Sequence, residues 1–228
     1  MPGDLYIVST PIGNLKDISH RALTILSDVD IIACEDTRVS NKLLTHYKIK
    51  NKLIFYNDYN ERKMVDKVYN YLLEDNDIAL ISDAGTPCIS DPGYRIVNKA
   101  TLNNINVISI PGASSVHAAL SISGLPTDNY FFQGFLPKKK GRKTKFEQLK
   151  ELDCTIVIFE SPKRIKKTFK DINFYLGNRV VSVCKELTKL YEKVYLNDIE
   201  NIINIFNDIS PKGEYVILIA KENYKLPI

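Results

Sequence analysis

The chain has 228 residues, of which 44% are hydrophobic and 25% are charged, and this composition predicts a folded globular protein rather than a disordered one. No apolar run approaches the roughly 18 residues that a membrane helix needs, and no basic segment precedes an apolar one at the N-terminus. We therefore expect no membrane partner and a cytoplasmic location. The four cysteines form no CxxC pair and the three histidines have no ligand spacing, so we expect reduced thiols and no metal site.

The net charge of +4 is modest, but its distribution along the chain is uneven. The segment KKKGRKTK (138–145) carries six cations in eight residues, and KRIKK (163–167) carries four in five. Either segment alone is well explained as a solvated surface. Two such segments in the same half of the chain favour a polyanionic partner.

The first half of the chain alternates short apolar runs with amphipathic segments, a pattern typical of β-strands followed by helices. The runs are continuous rather than alternating with polar residues, which predicts a parallel sheet buried on both faces. Strands are predicted at 5–9, 30–34, 53–56, 77–82 and 106–110, and helices at 18–30, 40–47, 60–75, 94–104 and 114–123.

Around residue 125 the sequence becomes rich in proline and glycine, and this change predicts a junction between two α/β domains, 1–126 and 127–228. After the junction the alternation of strands and helices restarts. Strands are predicted at 130–135, 155–159, 179–184, 191–196 and 214–220, and helices at 145–152, 162–176 and 197–208.

The unusual loops of the chain all lie where a predicted strand ends or begins. They are STPIGNL (9–15), SDAGTPCISDPG (82–93), PGASS (111–115), ESPKR (160–164), KELTK (185–189) and KGE (212–214). None of them is a P-loop or a GxGxxG dinucleotide fingerprint. Any one loop is better explained as a simple turn. Because ligands of open α/β sheets bind at the carboxyl ends of strands, their shared location predicts a ligand cleft.

Acidic and basic side chains follow the second predicted strand in the segment EDTR, which places Glu35, Asp36 and Arg38 together. Asp36 or Thr37 would cap the next helix, and a local ion pair is the better explanation of this segment taken alone. The functional alternative is that carboxylates at a cleft orient a substrate hydroxyl group.

The ordered set of these motifs, with GFLPKK (134–139), resembles the bacterial small-subunit ribosomal RNA 2′-O-ribose methyltransferases of the tetrapyrrole methylase family. The similarity covers essentially the whole chain, and SDAGTPCISDPG is its most discriminating segment. The resemblance implies two α/β domains, with a mostly parallel sheet in the first and a mixed sheet in the second. It also implies S-adenosyl-methionine in a cleft between the domains, a homodimer, and cytidine 1402 of 16S ribosomal RNA, in the decoding centre of the small ribosomal subunit, as substrate.

Carried over by motif, the resemblance implies a set of cofactor-binding residues, and the charged segments of the sequence supply an RNA-contacting set and a catalytic set. The cofactor set is Pro11, Asp83, Ala84, Gly85, Thr86, Ile89, Ser114, Ser115, Phe159, Glu160, Leu187 and Thr188. The RNA-contacting set is Lys138, Lys139, Lys140, Arg142, Lys143, Lys163 and Arg164. The catalytic set is Glu35, Asp36, Arg38, Glu186 and Lys189.

Methyl transfer from a sulfonium is an in-line displacement that needs alignment of the hydroxyl and removal of its proton, but no metal or redox group. The candidate bases are Glu35, Asp36, Glu186 and Lys189, with Arg38, Lys163 and Arg164 positioning phosphates. The sequence does not distinguish which candidate acts as the base, and a carboxylate that only orients the hydroxyl fits equally well. Two other functions remain open. One is methylation of a small tetrapyrrole or corrin precursor, and the other is RNA binding without catalysis.

Overall fold

The computed structural model describes residues 1–226 and divides the chain into two compact units, the first ending at Ser114 and the second starting at Ser115. This division comes earlier than the junction predicted after residue 126. The helix that follows Ser114 belongs to the second unit because it packs against the strand Tyr215–Ile219 of that unit. Within residues 1–226, no helix has the length and apolar character needed to cross a bilayer.

The first unit is a five-stranded parallel sheet with helices between successive strands, as the continuous apolar runs predict. The strand order is β3-β2-β4-β1-β5, and every neighbouring pair is parallel. The strands are β1 (Leu5–Val8), β2 (Ile31–Cys34), β3 (Lys52–Phe55), β4 (Ile78–Ile81) and β5 (Val107–Ile110). The helices are α1 (His20–Asp28), α2 (Thr37–His46), α3 (Glu61–Leu73) and α4 (Tyr94–Leu102), with a short 3-10 helix at Leu15–Asp17.

Both faces of this sheet are buried, which explains why its strands show no polar alternation. On β2, Ile31 and Ala33 pack with apolar residues of α3 and α4, whereas Ile32 and Cys34 pack with residues of α1 and α2. Successive side chains of a strand point to opposite faces, so a strand covered on both sides must be apolar at every position. The layered core therefore leaves the strand ends as the place for polar chemistry.

The second unit is a five-stranded mixed sheet with the order β6-β7-β10-β8-β9. The pair β6 and β7 is parallel and the other three pairs are antiparallel, which confirms the mixed sheet that the resemblance implied. The strands are β6 (Tyr130–Phe135), β7 (Thr155–Glu160), β8 (Val180–Lys185), β9 (Lys193–Asp198) and β10 (Tyr215–Ile219). The helices are α5 (Ser115–Ile122), α6 (Arg142–Lys150), α7 (Ile165–Leu176) and α8 (Ile199–Asn207).

A single core of aromatic and aliphatic side chains joins α6, α7 and α8 to this sheet. Phe146, Phe169 and Phe206, one from each helix, are at most 1% exposed. The helix α6 begins at Arg142, before the predicted start at residue 145, so the second part of the basic segment 138–145 is helical rather than loop. Of this basic segment, only Lys138 to Gly141 precede the helix.

Candidate active site

Three loops of the first unit meet at the carboxyl edge of its parallel sheet, after β1, β4 and β5. The loop after β1 pairs with the loop after β4 through two backbone hydrogen bonds, in which the Thr10 and Gly85 amides each donate to the other's carbonyl, at 2.9 and 3.0 Å. Gly85 has a φ of +93°, and a Cβ atom there would lie 3.3 Å from Ile12 Cγ2. Only glycine adopts this backbone conformation without strain.

Hydroxyl groups complete the connection between these loops. Ser9 Oγ lies 2.9 Å from Thr86 Oγ1, and the Thr86 hydroxyl donates to the Ala113 carbonyl at 3.2 Å. A Cβ atom on Gly112 would lie 2.9 Å from Ser9 Cβ and 3.4 Å from the Ser9 carbonyl oxygen, so the two loops approach too closely for a side chain at Gly112. The result is a rigid, small-residue cradle beside the half-exposed Ile89. Ser9 and Gly112 lie in segments that the sequence pointed to, although neither was selected as a site residue.

The second turn of the segment 82–93 is anchored by a residue that the sequence analysis missed. The Glu61 carboxylate accepts hydrogen bonds from the Gly93 amide at 3.0 Å and from the Tyr56 hydroxyl at 3.2 Å, and it pairs with Arg95 at 3.1 Å. Glu61 therefore fixes the start of α4 and the turn that carries Asp91. Nothing local could identify it, because its amide partner lies 32 residues away in the sequence.

Three half-buried carboxyl groups lie around this edge: Glu35 after β2, Asp83 after β4, and Asp91 in the second turn. Burial raises the pKa of all three, and repulsion from neighbouring acids raises it further. The pKa of Asp91 reaches about 6. Within residues 1–226 none of the three forms a salt bridge. A carboxyl group with a raised pKa is suited to accept a proton near neutral pH.

Asp36 has a different environment from Glu35, although the two are adjacent. Its carboxylate caps α2 by accepting from the Arg38 amide at 2.8 Å, and it pairs with the Arg38 guanidinium at 2.6 Å. These hydrogen bonds to Arg38 lower the pKa of Asp36 to about 2. The structure thus contains the cap and local ion pair that the sequence favoured, and a carboxylate this acidic is a poor proton acceptor at neutral pH.

In the second unit, the loops ESPKR, KELTK and KGE share one edge of the mixed sheet, where Glu160 of β7 and Lys185 of β8 flank Tyr215 of β10. Glu186 and Lys189 are bonded to each other at 3.0 Å, and Lys189 also pairs with Glu214 at 2.8 Å.

Burial raises the pKa of Glu186, but hydrogen bonds from the Glu214 amide and from Lys189 outweigh it and lower the pKa overall. For Lys189, burial lowers the pKa, and its two carboxylate partners more than reverse this effect. Each group is therefore held in its charged form, and neither is poised to act as a base.

Thr188 combines two uncommon features in the same loop. Its φ is +64°, which is rare for a β-branched residue, and its buried hydroxyl oxygen has no hydrogen-bond partner within residues 1–226. Its amide donates to the Glu192 carboxylate, and the preceding Leu187 is buried. A strained backbone that holds an unpartnered buried hydroxyl is a feature of ligand sites.

Two of the predicted site residues direct their side chains into the interior of the second unit. Glu160, at a strand end predicted to line the cofactor site, has a fully buried side chain that accepts from Thr168 Oγ1 at 2.6 Å and from the Ser161 amide at 2.7 Å. Arg142, expected at phosphates, is only 7% exposed and pairs with Asp171 at 2.8 Å. Both side chains point into the second unit because each has a buried partner of opposite charge or polarity. Arg164 pairs with Glu160 at 2.7 Å and is largely occupied as well.

The other predicted residues are placed as follows. Pro11 is buried in the loop after β1, Ser114 ends the first unit, and Ser115 begins α5. Phe159 packs edge to face against Phe132 and Phe135. Of the predicted RNA-contacting residues, the exposed ones are Lys138, Lys139, Lys140, Lys143 and Lys163. Within residues 1–226 no group of three or more His, Cys, Asp or Glu side chains is arranged to hold a metal ion.

The model of the Tetrapyrrole (Corrin/Porphyrin) Methylases matches residues 4–203 of this chain. The chain belongs to this methylase family. It is 44% identical over 225 residues to a protein of Halalkalibacterium halodurans named ribosomal RNA small subunit methyltransferase I, covering 98% of this chain and 78% of the relative. A protein of the same name from Thermotoga maritima is 40% identical, with 96% of this chain and 98% of the relative covered.

Solved structures agree with the fold of the methylase. The crystal structure of a cobalt precorrin-4 methyltransferase from cobalamin biosynthesis superimposes with a TM-score of 0.71, covering 95% of this chain and 94% of the other. The sequence identity of 19% means that this likeness speaks for the fold alone. The two α/β units of the methylase are thus those of its family, with five parallel strands in the first and a mixed sheet in the second.

Proposed function

We propose that this methylase transfers a methyl group from S-adenosyl-methionine to the ribose 2′ oxygen of cytidine 1402 in 16S ribosomal RNA. The observation that carries the proposal is the relatives named ribosomal RNA small subunit methyltransferase I, which are 40–44% identical over nearly the whole chain. The proposal includes a cytoplasmic location, a homodimer and the small ribosomal subunit as partner.

The residues of the first unit fit the cofactor. A side chain at Gly85 would crowd Ile12, the half-exposed Ile89 offers an apolar surface, and half-buried acids suit the cationic groups of S-adenosyl-methionine. In the second unit, Thr188 supplies a buried hydroxyl without a partner within residues 1–226, and we propose it as a further ligand contact. When bound, the cofactor supplies an electrophilic methyl group on its sulfonium.

Among the catalytic candidates, Glu35 best fits a role at the ribose hydroxyl. Its pKa is raised by burial and by the nearby charges of Asp83 and Asp91, whereas Asp36 and Glu186 are held as carboxylates by cations and backbone amides. We propose that Glu35 accepts the hydroxyl hydrogen bond and then its proton, while the exposed lysines of the second unit bind phosphates. Arg38, which is 86% exposed at its side chain, is available to contact a phosphate despite its pairing with Asp36.

The proposed reaction is tested by incubating the methylase with labelled S-adenosyl-methionine and either small ribosomal subunits or corrin precursors. We expect label in ribosomal RNA only, and nuclease digestion followed by mass spectrometry should place the methyl group on the ribose of cytidine 1402. A methyl group on the cytosine ring, or label in the corrin alone, would contradict the proposal. Calorimetry with S-adenosyl-methionine separates an enzyme from a protein that only binds RNA, because only the enzyme binds the cofactor.

A further inference from the structure

A buried chain of polar side chains links α6, α7 and β7 in the second unit. Arg142 donates from Nη2 to Thr168 Oγ1 at 2.8 Å, and the Thr168 hydroxyl donates to Glu160 Oε2 at 2.6 Å. Arg164 pairs with Glu160 Oε1 at 2.7 Å, and Arg142 pairs with Asp171 at 2.8 Å. Two cations face two carboxylates, so the network is electrically balanced. We call these five residues the buried network.

The same arginines also hold the segment that leads into the exposed lysines. Arg164 Nη1 donates to the Leu136 carbonyl and Arg142 Nη1 donates to the Pro137 carbonyl, each at 3.0 Å. Lys138 to Lys140 follow directly, and all three are exposed without a salt bridge within residues 1–226. The position of these lysines therefore depends on two guanidinium groups, of which that of Arg142 is buried and that of Arg164 is partly buried.

The other end of the network holds the second group of cations. Glu160 Oε1 accepts from the Ser161 amide at 2.7 Å, and Ser161 is the first residue of the turn that carries the exposed Lys163. Buried, fully bonded polar networks define one geometry, because a displaced member leaves a donor or acceptor without a partner. The network thus fixes the two lysine-bearing loops relative to each other inside the second unit.

We propose that Arg142, Thr168, Glu160 and Arg164 are positioning residues that hold Lys138–Lys140 and Lys163 as one phosphate-binding surface for RNA. This inference rests on the proposed function and extends it. Each arginine holds the backbone in place, because a guanidinium can make several hydrogen bonds at once. The lysines, as mobile point charges, would make the contacts with phosphate. The three contacts of Arg142 come from three different nitrogens, Nε, Nη1 and Nη2. A lysine at position 142 would keep the charge, but its single nitrogen could not reach all three partners.

The decisive variant is Thr168→Val. Thr168 is 0% exposed and cannot touch RNA, so any change in RNA affinity must be transmitted through the network. Thr155→Val is the matched control, because Thr155 is 1% exposed in β7 and its hydroxyl donates to the Pro126 carbonyl outside the network. Filter binding to small ribosomal subunits, calorimetry with S-adenosyl-methionine and thermal unfolding are measured for both variants.

We expect Thr168→Val to raise the Kd and the KM for small subunits on the order of tenfold, a coupling typical of residues in one network. The kcat at saturating RNA and the cofactor affinity should stay at the wild-type level, and Thr155→Val should bind RNA as the wild type does. In a background with Lys138, Lys139 and Lys140 all changed to Ala, Thr168→Val should have little further effect, because its effect acts mainly through those lysines.

Equal RNA affinities for Thr168→Val, Thr155→Val and the wild type would overturn the inference, as would fully additive effects of Thr168→Val and the lysine changes. Should Thr168→Val not fold, Arg142→Lys replaces it in the same cycle, with the same expected and contrary results. The wild type is assayed for methylation in parallel. A wild type that methylates no ribosomal RNA overturns the proposed function, whereas an active wild type with an additive cycle overturns only the positioning role.

Discussion

The two units differ in whether half-buried acids at the sheet edge remain without a cationic partner. In the first, burial and the charges of neighbouring acids raise the pKa of Glu35, Asp83 and Asp91, and no cation forms a salt bridge with them within residues 1–226. In the second, Glu160 and Glu186 are paired with Arg164 and Lys189. The unpaired acids of the first unit suit the proposed proton chemistry, whereas the paired acids of the second hold structure and leave exposed lysines for the proposed RNA contact.

Sheet topology explains part of this difference. In a parallel sheet every strand ends at the same edge, so the polar loops of β1, β2, β4 and β5 gather there and their acids repel one another. In the mixed sheet the start of β10 lies between the ends of β7 and β8, and its loop supplies Glu214 as a partner for Lys189. Loops of antiparallel neighbours thus bring a carboxylate next to a cation, whereas the loops at the edge of the parallel sheet bring acids next to one another.

The largest effect is expected from Gly85→Val in the first unit, which should abolish binding of S-adenosyl-methionine. Valine at a φ of +93° is strained by about 1–3 kcal/mol, and its Cβ would lie 3.3 Å from Ile12 Cγ2, where the turn approaches its neighbouring loop. Gly177→Val is the matched control, because Gly177 also has a positive φ, of +83°. Among residues 1–226, no atom outside Gly177 and its two chain neighbours lies within 4 Å of the position that its Cβ would take. Unchanged calorimetric affinity in folded Gly85→Val would remove this turn from the cofactor site.

Next in size is Glu35→Gln, which should lower the rate of methyl transfer about 10²–10⁴-fold if Glu35 is the base. A base must be deprotonated, so the wild-type rate should rise with pH through the raised pKa of Glu35, and the variant should lose this limb. Asp36→Asn is the control, since its carboxylate is engaged by Arg38 and its amide oxygen can still cap α2. Pre-steady-state rates from pH 5 to 9 distinguish the two, and equal losses in both variants would contradict the contrast.

A smaller effect should follow from changing Lys138, Lys139 and Lys140 to Ala. Each phosphate contact adds about 0.7–0.9 to the slope of log affinity against log salt, so the slope should flatten by up to about two units. The control changes Lys42, Lys48 and Lys50, three exposed lysines of the first unit, to Ala and loses the same charge. Filter binding over a salt series measures both, and an identical slope for the two triple variants would show that the lysines of the second unit have no special role.

The smallest effect concerns stability. The folded state binds the Asp91 proton more tightly than the unfolded chain, because its pKa rises from 3.8 to about 6. Its stabilising contribution is therefore present below the unfolded pKa and is lost as the pH rises through about 6. Asp91→Asn should raise the free energy of unfolding at pH 8 by up to about 3 kcal/mol and change it little at pH 4. Urea unfolding at both pH values, with the exposed Asp128→Asn as control, measures this difference.

The order of helices and strands could be predicted closely from the sequence. Each predicted strand overlaps an observed one, because continuous apolar runs and helical spacing are local signals. The sequence did not predict that α6 starts at Arg142, because this residue lies in a run of cations typical of an exposed loop. In the structure Arg142 is buried and contacts Asp171 and Thr168. The junction after residue 126 was predicted from a change in composition. The units separate after Ser114, because α5 packs against β10 of the second unit.

The sequence by itself determined the alternation of elements, the two α/β units, and the collection of glycine, hydroxyl and charged motifs at strand ends. Tertiary structure alone decided which polar and charged groups distant in the sequence pair with each other. Arg142 meets Asp171 across 29 residues, and Glu61 meets the Gly93 amide across 32. Chain patterns report local conformation and burial, whereas a pKa or an ion pair depends on the distance between side chains brought together by packing. For that reason Glu35 and Asp36, neighbours in one motif, have opposite pKa shifts.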